Sequence, residues 1–205
     1  MYTRFRLMII YAQAGEGVPS AQIKDSLNLL SLAGIITPVT HTNANGLPLG
    51  AEENPSYCKY LFLDTGLMLT MLGMPPAEIL LSNDTDLVNK GAISEMFAGL
   101  ELVKYGDCFK KAEIHYWQNT SRNADAEVDY LAAHNGKILP IEIKANTKGS
   151  MQSLYYFMRK KHITEAARIS MENFSSLVRL DAEDDNAERR INITPLYAIK
   201  TLFRQ

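Results

Sequence analysis

Two short apolar segments joined by Asn135-Gly136 constrain the fold of this chain more than any other sequence feature. The first segment covers residues 126–131 and the second covers residues 137–144, and apolar and β-branched residues dominate both. An Asn-Gly pair between two such segments is a strong signal for a two-residue β-hairpin turn. The sequence therefore predicts an antiparallel pair of strands here.

The charged side chains of this hairpin fall on predictable faces. Alternate residues of a strand share a face, so Glu142 and Lys144 are expected to lie opposite to Ile143. In a normal hairpin register, the carboxylate of Asp129 on the first strand converges with that of Glu142. Two carboxylates beside a lysine can bind a hard divalent cation such as Mg²⁺, which prefers oxygen ligands. The alternative is a solvated hairpin face with an exposed Glu–Lys pair, which adds little stability.

A third acidic candidate lies on a long helix that is predicted to begin at Asp84 or Thr85 and to end near Tyr105. The apolar residues of this helix recur close to the 3.6-residue period. Glu95 occupies the middle of the helix among small and apolar neighbours, which makes it a candidate for the same site. A solvent-facing glutamate is the competing interpretation, and Glu101, elsewhere on the helix surface, is the competing acid.

Size, composition and charge predict a folded chain without a general affinity for nucleic acid. The 205 residues suffice for one good-sized domain or for one domain with an appendage, and 46% of them are hydrophobic. The net charge of −2 means that any contact with DNA or RNA must use a local patch. No apolar run approaches the length that spans a bilayer, and Cys58 and Cys108 are isolated. These features favour a reducing, cytoplasmic setting without membrane contact.

Residues 1–82 are predicted to form a small winged-helix-like segment. Helices are expected over 3–14 and 21–33, followed by a strand over 35–40. In winged-helix modules the second helix can enter the DNA major groove. Here its exposed side has one cation, Lys24, so packing against a protein partner is the alternative to DNA reading.

The elements from residue 83 onwards are predicted to follow an αβββαβ order over roughly residues 87–170. The charged candidates occupy the first helix, the second strand and the third strand: Glu95, Asp129, and Glu142 with Lys144. This order resembles the core of the PD-(D/E)xK superfamily, the restriction-endonuclease-like nucleases. The resemblance implies an α/β fold with a mixed α+β sheet, in which residues 83–205 form a nuclease-like domain.

A more specific resemblance extends over nearly the whole chain. The segments that carry it are 29–36, 47–49, 60–67, 90–97, 126–130, 140–145 and 195–199. They look like the uncharacterised C-terminal domain of bacterial and archaeal AAA-type ATPases, in which a P-loop module and a winged-helix-like segment precede the nuclease-like domain. This chain has no G-x-x-x-x-G-K-[ST] phosphate loop, so we expect no ATP binding by that mechanism. We therefore expect a fragment of a longer ATPase or a free-standing descendant.

The resemblance implies a metal-dependent phosphodiesterase that acts on DNA or RNA. Asp129 and Glu142 would hold Mg²⁺ or Mn²⁺, and Glu95 would bind the ion directly or through water. The backbone carbonyl of Ile143 would complete the shell, and Lys144 would orient the attacking water. The candidate phosphate contacts near the start of the next helix are Lys148, Ser150 and Gln152.

Two further interpretations belong to other functional classes. Because fold does not imply function, the domain can serve as a catalytically silent regulatory or assembly module of an ATPase. It can also serve as a DNA-binding module that uses the N-terminal segment. In either case the expected partners are an ATPase module, a second copy of the chain, or nucleic acid.

Overall fold

A computed structural model describes residues 8–9, 17–74, 90–106, 109–119, 126–145 and 149–203. They form a mixed sheet of nine strands. The strands in chain order are β1 (Met8–Ile9), β2 (Ile36–Thr42), β3 (Glu53–Phe62), β4 (Ile114–Gln118), β5 (Glu127–His134), β6 (Lys137–Ile143), β7 (Glu165–Ser170), β8 (Ser175–Asp181) and β9 (Ala187–Pro195). Their order in the sheet is β1-β3-β2-β4-β5-β6-β7-β9-β8.

Four α-helices and two 3-10 helices accompany the sheet within the described ranges. The α-helices are α1 (Ser20–Leu32), α2 (Thr65–Met71), α3 (Lys90–Lys104) and α4 (Gln152–Lys160). The 3-10 helices are Leu49–Glu52 and Leu196–Phe203. None of the helices in this part of the chain combines the length and the apolar character that crossing a membrane requires.

The predicted hairpin is confirmed. β5 and β6 pair antiparallel from Tyr130 opposite Ile141 to His134 opposite Lys137. Asn135 and Gly136 both adopt positive φ angles, 50° and 71°. Positive φ at both central residues defines the turn whose twist matches that of the two strands, which explains the Asn-Gly pair.

The predicted αβββαβ order and the mixed α+β sheet are confirmed as well. α3, β4, β5, β6, α4 and β7 follow one another, and β4, β5 and β6 pair antiparallel. β6 and β7 are parallel, so the chain needs a crossover between them, and α4 supplies it. Leu154, Phe157 and Met158 of α4 are fully buried, which fixes this helix on the sheet.

A β-bulge interrupts the ladder between β4 and β5. His115 lies opposite Leu131, whereas Trp117 lies opposite Val128. Two residues of β5, Asp129 and Tyr130, therefore face a single residue of β4. A bulge changes the direction of side chains from the regular alternation between the two faces of a sheet, and this bulge includes the predicted site residue Asp129.

The described part of residues 1–82 joins the same sheet, because β2 pairs in parallel with β4 and antiparallel with β3. The helix predicted over 3–14 is wrong at Met8–Ile9, which form a strand paired with β3. The rest of that helix and the boundary between 82 and 83 lie outside the described residues. The helix predicted over 21–33 is confirmed as α1 (Ser20–Leu32), and none of its residues is buried.

Gly99 allows α3 to approach the sheet closely. A Cβ atom at this position would lie 2.5 Å from the Tyr130 hydroxyl and 2.8 Å from Cδ1 of Leu61. Such distances are too short for any side chain larger than hydrogen. Gly91, in the first turn of the same helix, has no atom within 4 Å of the equivalent position. The close contact therefore belongs to the middle of α3, beside Glu95.

We predict opposite effects of alanine at these two glycines. Gly99→Ala forces α3 away from Tyr130 and Leu61 and should lower the free energy of unfolding by about 1–3 kcal/mol. Gly91→Ala only improves helix propensity and should leave stability unchanged or raise it by up to about 1 kcal/mol. Urea unfolding followed by circular dichroism measures both. Equal effects would show that α3 does not lie this close to the sheet.

Candidate metal centre

Asp129 is fixed by a hydrogen bond across the hairpin. The backbone N–H of Ile143 donates to Oδ2 of Asp129 at 2.7 Å. Asp129 lies in the bulge of β5, and Ile143 is the last residue of β6, so this bond joins the two strands just beyond their last regular pair. The carboxylate of Asp129 is thereby held beside the end of β6, where the second predicted acid lies.

Glu142 and Lys144 form an ion pair at that end of β6. Nζ of Lys144 lies 2.6 Å from Oε1 of Glu142. The side chain of Glu142 is buried, and its other oxygen, Oε2, has no hydrogen-bond partner among the described residues. A buried carboxylate oxygen without a donor is unfavourable unless something positive completes it.

Glu95 reaches this region from α3. The Tyr130 hydroxyl donates to the backbone carbonyl of Glu95 at 2.8 Å, and the close approach at Gly99 lies one turn further along the helix. The competing acid, Glu101, instead accepts from Lys104 and from the Tyr105 hydroxyl. The structure therefore directs Glu95, and not Glu101, towards the hairpin.

Two residues that the sequence analysis did not identify complete the arrangement. Lys59 of β3 is only 4% exposed at its side chain, and its Nζ lies 2.9 Å from Oε1 of Glu95 and also pairs with Glu127. The same ammonium lies 4.7 Å from the ring centroid of Tyr116, a cation–π distance. The Glu127-x-Asp129 spacing in β5 is a sequence signal for Glu127, whereas no local pattern points to Lys59.

Three of the carboxylates come close enough to share one ion. Glu95, Glu127 and Asp129 each offer an oxygen, and these oxygens lie within 4.8 Å of one another. Glu142 is not in this closest group, but its charge acts on Asp129. The structure thus brings the predicted acids into one region, while their roles as ligands or catalytic groups stay predictions.

Burial and the charge of neighbouring carboxylates raise the pKa values of two of the acids, Asp129 and Glu142. Burial raises the pKa of Asp129 well above its ordinary value, and the charges of Glu142 and Glu95 raise it further, against the opposing effect of Lys59. Burial also raises the pKa of Glu142, although Lys144 opposes this. Burial would lower the pKa of Lys59, but the carboxylates of Glu95, Glu127 and Asp129 outweigh it and raise that pKa. The lysine therefore stays charged.

The formal charges of the cluster do not cancel. With every group ionised, four carboxylates face two ammonium groups, which leaves an excess of two negative charges. The six side chains are those of Glu95, Glu127, Asp129, Glu142, Lys59 and Lys144. One divalent cation matches this excess.

The proposed phosphate contacts lie further along the chain. Ser150 and Gln152 are exposed at the start of α4, where Oγ of Ser150 accepts from the backbone N–H of Gln152 at 3.3 Å. Lys148 lies outside the described residues. A link between these residues and nucleic acid remains a prediction.

The fold and the site define an α+β protein whose central sheet supports a cluster of carboxylates bridged by lysine. Residues 90–199 match the model of the family described as Domain of unknown function (DUF4143), and the chain belongs to this family. We call residues 90–199 the family region; it contains all four carboxylates of the cluster, whereas Lys59 lies outside it. Searches of curated proteins and of solved structures found no match.

We predict that Asp129→Asn stabilises the metal-free protein at neutral pH. Since the folded pKa of Asp129 is raised, the folded state retains a proton that the unfolded state has lost, so stability falls as pH rises from the ordinary aspartate range through the raised pKa. Asparagine removes this loss and can still accept from Ile143. Thermal unfolding between pH 4 and pH 8, a range set by ordinary carboxyl pKa values of about 4, should show a higher melting temperature for the variant at the alkaline end.

Asp181→Asn is the matched control for this prediction. A hydrogen bond from Arg159 holds the pKa of Asp181 below its ordinary value, so its stabilising effect is present above the ordinary aspartate pKa and is lost as pH falls. This variant should therefore be less stable than the parent at neutral pH. A loss of stability in Asp129→Asn as well would contradict the electrostatic strain assigned to the cluster.

Proposed function

We propose that this protein is a metal-dependent phosphodiesterase of the PD-(D/E)xK type that acts on nucleic acid. One observation carries the proposal: the Asp129 and Glu142 carboxylates lie at adjoining ends of β5 and β6, with Lys144 on Glu142. The observed order α3-β4-β5-β6-α4-β7 supports the same assignment. An association with an AAA-type ATPase belongs to this proposal and rests on the sequence resemblance.

The donor set fits a hard divalent cation. It consists of carboxylate oxygens, the preferred ligands of Mg²⁺ and Mn²⁺. When a cation displaces the protons from its acids, the fully ionised cluster has an excess of two negative charges, which equals the charge of one such ion. The buried Oε2 of Glu142, which has no partner among the described residues, is the atom most in need of a cation. Asp129 and Glu142 would hold the ion, and Glu95 would bind it directly or through water.

The chain's own residues would divide the remaining work. A bound divalent ion supplies charge neutralisation at the scissile phosphate and acidifies its water. Lys144, fixed against Glu142, would orient the attacking water towards phosphorus. The Ile143 N–H keeps the Asp129 carboxylate in place, and the carbonyl of Ile143 remains the proposed additional ligand. Ser150 and Gln152 would contact a neighbouring phosphate at the start of α4, with Lys148 as a further candidate.

The competing function is a regulatory or assembly module without turnover. The observation that favours it is the ion pairing of Lys59 with two carboxylates, because a cluster that supplies its own cation can be purely structural. α1 also fits a protein partner, since Leu29, Leu30 and Leu32 are all exposed near its C-terminal end. DNA binding through α1 is the third candidate, and its affinity would depend on salt but not on Asp129.

We predict Mn²⁺- or Mg²⁺-dependent cleavage of DNA or RNA by the full chain. Asp129→Asn should lower the rate by at least about 100-fold, because it removes a charged ligand that supports the developing charge. Glu95→Gln should lower it by about 10- to 100-fold. Gel assays with single- and double-stranded substrates, with and without EDTA, measure these rates.

Glu101→Gln is the control for Glu95→Gln, because Glu101 lies on the same helix but pairs with Lys104 and Tyr105. It should leave cleavage unchanged. Activity that persists in EDTA or in Asp129→Asn would contradict the proposal. Absence of both cleavage and Mn²⁺ binding would favour the assembly module.

A further inference from the structure

One of the two cations of the carboxylate cluster, Lys59, comes from outside the family region. Lys59 lies on β3, and its Nζ contacts Glu95 of α3 and Glu127 of β5. Both partners belong to the three carboxylates whose oxygens can share one ion, with Asp129 as the third. The ammonium therefore already occupies two of the acids that a metal would approach.

Lys59 is held in place by the sheet, and its side chain is not a flexible side chain on the surface. Lys59 pairs with Val39 of β2, and Val39 pairs in turn with Ile114 of β4. Its ammonium also lies over the Tyr116 ring, and its side chain is 4% exposed. An ammonium held in this way cannot swing out into water without disturbing the strands around it.

We propose that Lys59 is the resident counter-cation of the cluster and that it competes with a divalent metal ion for Glu95 and Glu127. This inference rests on the metal-dependent function proposed above, and it identifies Lys59 as the residue that regulates the affinity of the site for metal. Lys59 neutralises one of the negative charges and repels a second cation at the same oxygens. A segment outside the family region thereby limits how tightly the family region holds its metal, and Asp129 with Glu142 is left to provide the main attraction.

The test is a calorimetric Mn²⁺ titration of the full chain and two lysine variants. Lys59→Met should bind Mn²⁺ at least about tenfold more tightly than the parent, because it frees two carboxylates and removes a repelling charge. Lys104→Met is the matched control, since Lys104 pairs with Glu101 on α3 but is 62% exposed at its side chain. It should bind Mn²⁺ with the affinity of the parent.

The outcomes separate this inference from the proposed function. If the parent binds Mn²⁺ and Lys59→Met binds it equally or more weakly, the competition is refuted while the metal site stands. If neither protein binds Mn²⁺, the proposed function and the inference both fail. Lys59→Arg keeps the charge and should bind like the parent, so tighter binding by this variant would also refute the competition.

The folding of Lys59→Met needs its own control, because the variant leaves Glu95 and Glu127 without the ammonium that pairs with them. Circular dichroism measures the helix and strand content of Lys59→Met with and without Mn²⁺. If the variant is unfolded without Mn²⁺ and folds when Mn²⁺ is added, the result supports the competition. If the variant stays unfolded in Mn²⁺, Lys59→Gln, which keeps an N–H donor without the charge, is titrated instead. The Mn²⁺ affinity of Lys59→Gln is then compared with that of the parent, and binding that is not tighter refutes the competition.

Discussion

The buried negative charge at the end of the β5–β6 hairpin is the constraint on which the geometry of the carboxylate cluster depends. Carboxylates removed from water are costly unless positive charge or hydrogen-bond donors surround them. Lys59 of β3 meets part of this need, and the backbone N–H of Ile143 and the side chain of Lys144, which are adjacent at the end of β6, meet another part. The unpartnered oxygen of Glu142 shows where compensation is incomplete among the described residues. The incomplete compensation accompanies raised pKa values at two of the acids, Asp129 and Glu142, for both of which burial is the largest cause.

Two backbone features bring the acids of the cluster close together. The bulge in β5 lets consecutive residues reach the same helix: the Tyr130 hydroxyl bonds the carbonyl of Glu95, and Asp129 lies in the cluster with the Glu95 carboxylate. Neighbouring residues of a regular strand would point to opposite faces. Gly99 then brings α3 near enough for these contacts to form.

The features that could be predicted from the sequence are those that depend on patterns of neighbouring residues. Asn135-Gly136 and the apolar segments predicted the hairpin, and the order of elements predicted the mixed sheet. The bulge could not be predicted, because the regular alternation that the sequence analysis assumed contains no extra residue. Lys59 was missed because its place depends on the parallel pairing of β2 with β4, a contact between distant segments that no local spacing reveals. The winged-helix-like segment was expected from two helices followed by a strand and from the family resemblance, and the strands of its described part extend the central sheet.

The parallel pairing of β2 with β4 has a consequence for anyone who trims this protein to its family boundaries. A polypeptide beginning at residue 90 would lack the strand that covers one side of β4, and the backbone groups along that side would lie open to other chains. It would also carry four acids without the ammonium of Lys59. Aggregation of such a shortened product would reflect where the gene was cut rather than the chemistry of the longer chain.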